Sequence, residues 1–344
     1  MRESIFYSSF RALMVAFFTI IGICLGFVAL FMAIGFLSSK SSSGQSITEA
    51  TEQILPNAKG ERIVQSNTAP VILQIDINKE IGGESLNSKT IRQILLESRE
   101  GHYKNDRVKG ILLYIDSPGG SAIDSDIIFR SLLEYKNKYK TPIYAFVDGI
   151  CASGSLYIAL AADKIFASNV SLIGSVGVVS SPFMNYSKLL EKIGVQSLTL
   201  YEGKGKDAMN PFRPWVEGED KNYKEIERFF YTNFVDLVTT YRPKISKQKL
   251  IEEYGAQIFT APIALEYGFI DNTGASLNDA LSELVTKSEI TDDDYQVIRL
   301  ESSNWFKELY SGTSLLFPKK MQHQLSISPE MDLLLKHKYL YLYY

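Results

Sequence analysis

Ser153 stands in a cluster of small residues, Cys151-Ala-Ser153-Gly154-Ser155, at the mouth of the apolar run Leu156 to Ala162. A hydroxyl in that setting does one of two kinds of work. It caps a helix N-terminus, or it is a nucleophile placed where the helix field and nearby N–H groups stabilise negative charge. Cys151 and Ser155 fill the glycine positions of a Gly-x-Ser-x-Gly nucleophile elbow, so the spacing alone leaves both readings open. A second stretch, "DSPGGS" (116–121), joins an apolar segment to a helical one. Pro118 fixes one backbone angle, and Gly119 and Gly120 permit angles closed to other residues. Such a loop serves either as a plain strand-to-helix turn or as a set of N–H donors facing an anion.

A serine nucleophile needs a base, and histidine is the usual one. The chain has three histidines, His102, His323 and His337, all outside the two glycine-containing turns and the helices after them. Lysine is the remaining general base, and it must be neutral to accept a proton. Lys164 lies roughly 16 Å from Ser153 if the intervening residues stay helical. Lys188 falls in the amphipathic stretch "YSKLLEKIG", where solvation is its ordinary fate. Lys204 and Lys206 sit in a glycine-punctuated loop, "YEGKGKDAMNPF" (201–212), after the strand-like "QSLTLY".

The elements that must position these groups read as an α/β pattern. "VILQIDI" (71–77), "KGILLYID" (109–116) and "PIYAFVD" (142–148) are near-continuous apolar strands. Between and after them come "IRQILLESR" (91–99), "AIDSDIIFRSLLEYKNK" (122–138) and Ser153 to Ala162 with helical spacing. That alternation predicts a parallel sheet covered on both faces. Residues 219–241 and 278–285 read as further helical cover, and the aromatic tail "HKYLYLYY" (337–344) as a strand or a surface for a partner or membrane.

The chain of 344 residues is large enough for one large domain or two smaller ones. A net charge of −3 gives no reason to expect nucleic acid. Cys24 lies in an apolar segment and Cys151 in the small-residue cluster, so the fold stands without an internal disulfide. Ala12 to Leu37 carries no charged residue and is long enough to span a bilayer. It ends in bulky residues rather than a cleavage site, which points to an uncleaved anchor. Arg2 and Arg11 before it place the N-terminus inside and the bulk of the chain outside. The predicted organisation is a flank at 1–11, an anchor at 12–37, a flexible linker at 38–67, a catalytic domain at 68–300 and an extension at 301–344.

Together, "DSPGGS", "ASGSLYIALAADKIFASNVSLIGSVGVV" (152–179), "GKGKDAMNPF" (203–212) and "FTAPIALEYGFID" (259–271) resemble the signal peptide peptidase A family, also called protease IV, in its short single-domain form. The resemblance spans about residues 68 to 290. It implies a Clp/crotonase-like parallel sheet with covering helices, preceded by one N-terminal transmembrane helix. It implies a Ser-Lys dyad with Ser153 as nucleophile and Lys206 as general base, Lys204 being the fallback. Gly120, Gly119 and Gly154 match the oxyanion hole, and Ser175 matches a serine that orients the lysine. The resemblance further implies a homo-oligomer, in short forms an octamer, with active sites shared between protomers. No metal or cofactor is implied. The expected activity is cleavage of hydrophobic peptides, remnant signal peptides among them, at the bacterial cytoplasmic membrane, with the catalytic domain on the extracytoplasmic side. The family usually reads Ala-Ala-Ser-Gly-Gly-Tyr around the nucleophile, whereas this chain has Cys151, Ser155 and Leu156. A catalytically silent oligomeric scaffold and a crotonase-like acyl-CoA enzyme are the alternatives.

Overall fold

The computed structural model describes residues 10–11, 13–23, 25–27, 51–291, 294–301 and 339–342. The chain divides into two compact units, Met1–Glu49 and Ala50–Tyr344. In the first, the described residues form helix α1, and its apolar side chains, Leu13, Phe17, Phe18, Ile20 and Leu25 among them, are exposed. No helix among the described residues is long and apolar enough to cross a membrane. Much of the expected span at 12–37 lies outside the described residues.

The second unit alternates strands and helices. In chain order it begins β1 (Thr51–Leu55), β2 (Val71–Ile77), α2 (Ser88–Glu97), β3 (Val108–Ser117), β4 (Gly119–Ser121), α3 (Ala122–Tyr139), β5 (Ile143–Ala152) and α4 (Gly154–Ala159). It continues β6 (Lys164–Ala167), β7 (Leu172–Gly174), β8 (Val179–Ser180), α5 (Ser187–Lys192), α6 (Lys221–Tyr241) and α7 (Lys247–Lys249). It closes with β9 (Ile258–Thr260), α8 (Ala261–Tyr267), β10 (Asn272–Thr273), α9 (Leu277–Lys287), β11 (Gln296–Glu301) and β12 (Tyr339–Leu342). The predicted strands at 71–77, 109–116 and 142–148 are all present, as are the helices at 91–99, 122–138, 219–241 and 278–285. The strand-like Gln196 to Tyr201 is not a strand but exposed coil.

The main sheet has nine strands, with the path β1-β11-β2-β3-β5-β6-β10 and a branch from β5 through β7 to β9. From β11 to β10 the path is parallel, and so is the β5–β7 pair. Antiparallel pairing of β1 with β11 and of β7 with β9 makes the sheet mixed, which corrects the expectation of a parallel one. The β1–β11 pairing also corrects the linker. Thr51–Leu55, expected to be flexible, satisfies its backbone along the open edge of β11.

Burial on both faces explains the continuous apolar strands. Leu73, Ile75, Ile111, Leu113, Ile115, Ala145 and Val147 face a large core shared with α2, α3, α4, α6 and α8. Ile72, Leu112, Tyr144 and Phe146 alternate onto the other face against α9. Local signals end and start the helices. Asn87 caps α2 by accepting from Lys89 and Thr90 N–H, and Ser276 with Asp279 forms a capping box on α9.

The sheet splits where the chemistry-bearing stretches begin. β5 pairs with β6 through Tyr144–Val147 and with β7 through Ile150–Ala152. Between these pairings Gly149 adopts φ +137°, and a side chain there would meet Asp116 Oδ1 at 2.1 Å. Asp116 Oδ1 instead accepts Ile150 N–H at 2.9 Å, at the bulge that interrupts the β3–β5 register. The kink turns the last residues of β5 toward β7 and delivers Ser153 beside Gly174.

Candidate active site

Ser153 follows β5 and precedes α4, with φ +56° and ψ −114°. Only glycine enters that region readily, and holding serine there costs about 1–3 kcal/mol. Contacts on each side hold it there. Ser153 N–H donates to Gly174 O at 2.9 Å, and Ser153 O accepts Tyr157 N–H at 3.0 Å. Its side chain caps nothing. The Oγ is fully buried and has no hydrogen-bond partner among the described residues, although most buried hydroxyls are paired. Of the two readings that the sequence leaves open, the cap is therefore the one the geometry does not match. A strained strand-to-helix turn carrying an unpaired hydroxyl is the arrangement of a nucleophile elbow.

Two further glycine positions flank this elbow, Gly154 directly after it and Gly120 on the neighbouring β4. Gly154 is the first residue of α4, so its N–H has no carbonyl partner within the helix. Gly120 has φ +148°, and a Cβ on it would lie 2.1 Å from Ile81 O, so only glycine fits. Gly119 N–H donates to Ser117 Oγ at 3.2 Å, which makes it the less available of the paired glycines. Ile81 N–H donates to Gly119 O and Ser121 N–H to Ile81 O, both at 2.8 Å, so the glycine turn is clamped from outside the sheet.

Two serines join the elbow to this turn. Ser155 Oγ donates toward Ser117 O at 2.7 Å and Ala152 O at 2.9 Å, while Ser117 Oγ donates to Lys79 O at 2.6 Å. Ser155, where the family pattern has glycine, thus ties the start of α4 to the end of β3. Cys151 is completely buried beside it. Burial pushes its thiol up to about 12, and a hydrogen bond with Ser155 offsets this only in part. A thiol held protonated is no nucleophile at neutral pH.

The candidate bases are scattered. His102 sits on a short turn before the N-terminal end of β3. Ser153 lies beyond the C-terminal end of β5, which runs parallel to β3, and the ten residues of β3 span about 33 Å. His323 and His337 lie outside the described residues. Lys164 starts β6 and pairs with Glu283, which raises its pKa and keeps its proton on. Lys188 is exposed on α5. Lys204 and Lys206 are exposed as well, and neither ammonium has a hydrogen bond or ion pair among the described residues. Lys206 is not hydrogen-bonded to Ser153. Ser175, by contrast, stands next to the elbow. It has φ +58°, is 4% exposed, follows the Gly174 that pairs with Ala152, and donates its N–H to Gln257 O at 2.7 Å. The chain therefore brings Ser153, Gly154 and Ser175 together, with Gly120 on the neighbouring β4, and Lys206 makes no hydrogen bond to Ser153.

The residues around Lys206 form a polar clasp that motif reading did not pick out. Asp207 is buried, and its carboxylate accepts Arg213 Nε at 2.5 Å and Asn210 Nδ2 at 2.6 Å. Arg213 Nη1 continues to Glu219 Oε1 at 2.7 Å. The guanidinium holds both carboxyls below their usual range. Next to this loop is an apolar cavity of about 590 Å³, lined by Pro182, Phe183, Met184, Met209, Pro211 and Lys206.

The tail supplies the last component. β12 lies between β4 and β8 in a separate three-stranded antiparallel sheet, with Tyr341 opposite Gly120 and Leu342 opposite Gly119. Of the two expectations for the aromatic tail, the strand is the one present.

A buried serine on a strained elbow, at the carboxyl ends of parallel strands and beside a glycine turn, defines the class of site used for acyl transfer. The chain belongs to peptidase family S49. The profile of that family matches residues 135–291. The chain is 34% identical over 245 residues to an Enterococcus faecium protein named "Putative signal peptide peptidase SppA", covering 71% of this chain and 69% of the relative. It is 32% identical over 205 residues to "Serine protease SPPA, chloroplastic" of Arabidopsis thaliana, covering 59% of this chain and 29% of that longer protein. A ClpP1 variant of Listeria monocytogenes overlaps 60% of this chain and 94% of its own, at 17% identity and a TM-score of 0.40.

Proposed function

We propose that this peptidase is a serine endopeptidase with a Ser-Lys dyad, acting on hydrophobic peptides such as remnant signal peptides at the membrane. The observation that carries the reading is the Ser153 hydroxyl, fully buried and unpaired on a backbone that serine adopts only under constraint. Neutral Lys206 takes its proton, and Oγ attacks the peptide carbonyl. The N–H groups of Gly120 and Gly154 receive the oxyanion, the amine leaves with a proton from the lysine, and water releases the acyl group. Ser175 orients the lysine. Lys206 makes no hydrogen bond to Ser153 among the described residues, and in this reading the lysine of a neighbouring protomer completes the dyad in a homo-oligomer.

The tail supports an extended-peptide substrate. An apolar, aromatic segment of this chain already adds as a strand beside the glycine turn, and main-chain pairing of that kind recognises peptides with little regard to sequence. The exposed apolar surface of α1 supports attachment to the bacterial cytoplasmic membrane as a single-pass protein, with the catalytic domain on the extracytoplasmic side.

The test uses the full chain in detergent micelles with a hydrophobic signal-peptide fragment and a β-lactone probe. Ser153→Ala abolishes probe labelling and lowers kcat by at least about 1,000-fold. Lys206→Ala lowers kcat comparably with KM little changed. For the wild type, kcat/KM rises with pH as the lysine loses its proton. Full cleavage by Ser153→Ala overturns the mechanism, and a wild-type oligomer that neither cleaves nor labels points to a silent scaffold.

A further inference from the structure

We propose that Arg213 is a positioning residue for Lys206: it clamps the loop that carries the lysine and engages the carboxylates of Asp207 and Glu219, leaving the ammonium without a counter-ion among the described residues. The inference rests on the reading of Lys206 as the base. Its own support is the geometry of the loop.

The stretch that leads to Lys206 has no buried side chain to hold it. Every residue from Glu191 to Lys206 is exposed, and Gly203, Gly205 and Met209 all turn at positive φ. The loop is fixed by polar contacts that converge on Arg213. Its Nε and Nη2 grip the side chain and the carbonyl of Asp207, each at 2.5 Å. Its Nη1 reaches Glu219 Oε1 at 2.7 Å and Pro214 O at 2.9 Å. Glu219 in turn accepts Met209 N–H at 3.0 Å and Val216 N–H at 3.1 Å, so one guanidinium ties both flanks of the loop together. A lysine cannot replace this planar fork.

The same contacts decide the local charge. Asp207 follows Lys206 directly, and an unengaged carboxylate there would be a ready partner for the ammonium. Both of its oxygens are taken, Oδ2 by Arg213 and Oδ1 by Asn210. The other titratable groups lining the cavity of Lys206 are Tyr186 and Tyr223. Behind Asp207 a second cavity adds Lys204, Glu217, Lys221 and Glu225, balanced in sign. An opposite charge left free beside a lysine stabilises its protonated form, and a general base needs the neutral one.

The test is the pH profile of kcat/KM for the full chain in detergent micelles, for wild type, Arg213→Gln, Arg213→Lys and Asp207→Asn. Arg213→Gln frees two carboxylates and moves the profile midpoint up by roughly 0.5–1 pH unit, while Asp207→Asn leaves the guanidinium in excess and moves it down. Arg213→Lys keeps the charge and loses the fork. Its midpoint stays near wild type while kcat falls several-fold and KM holds. Should Arg213→Gln fail to fold, the opposed behaviour of Arg213→Lys and Asp207→Asn still decides. Midpoints that coincide in all four proteins overturn the proposal, because a purely structural clasp changes rate without moving the profile. Full activity of Lys206→Ala overturns the base assignment itself, whatever the Arg213 variants do.

Discussion

The Ser153 elbow and the Lys206 loop are both glycine-bearing turns that carry a candidate catalytic group, yet they are held by different forces. The elbow is embedded in the core: Cys151, Ala152, Ser153, Ser155 and Leu156 are fully buried, and strands β3 and β7 flank it. The loop stands in solvent and keeps its shape through one arginine and two carboxylates. Packing in a parallel sheet can sustain a strained backbone, because moving it would break many contacts at once. A surface clasp can orient a side chain but cannot desolvate it. The Ser153 turn is buried within one chain, whereas Lys206 is exposed and, in the proposed mechanism, is covered by another surface.

Mixing two inactive variants gives the sharpest test of that contrast. Ser153→Ala and Lys206→Ala chains, co-assembled in equal amounts, recover up to about a quarter of wild-type activity if the dyad forms between protomers. Separately purified and unmixed, each stays inactive. A mixture that stays inactive while forming the same oligomer would show the lysine acting within its own chain.

Gly120→Ala comes next. Its methyl group would collide with the Ile81 carbonyl, so the turn must open, with a loss of several kcal/mol in stability or of the oxyanion donor. Denaturant unfolding and β-lactone labelling separate the two. The corresponding change in the loop, Gly205→Ala, meets no atom and carries only the strain of its positive φ, a smaller cost.

The smallest effect belongs to Ser155→Ala. It removes the link from α4 to Ser117 and one hydrogen bond to a buried carbonyl, at about 1–2 kcal/mol. The melting temperature should fall by a few degrees and kcat a few-fold, with KM unchanged. Unaltered stability and rate would mean that Ser155 merely fills the place of glycine.

Much of this was legible in the residues. β2 matches its predicted bounds, and β3 and α3 nearly so, because apolar runs of strand length and helical spacing report burial directly, whereas β5 runs four residues beyond its predicted end. Glycine and proline marked 116–121 and 149–155 as unusual backbone, although most of both stretches is strand, in β3 and β4 and at the end of β5. β1 was hidden, since its sequence reads as polar linker and only the open edge of β11 makes it a strand. The failed strand at Gln196 to Tyr201 is the converse, with good local propensity and no neighbour to pair with. Arg213 and Glu219 gave no motif signal, since their role depends on a turn that brings them back to Asp207.

The sequence by itself determined which candidate residues stand at the glycine-bearing stretches and which segments must be buried, because residue type and periodicity are local properties. Only the tertiary structure decided that Ser153 is strained and unpaired, that Gly120 lies against Ile81, and that Ser155 reaches Ser117. Those facts depend on distances between segments far apart in the chain, which no local pattern encodes.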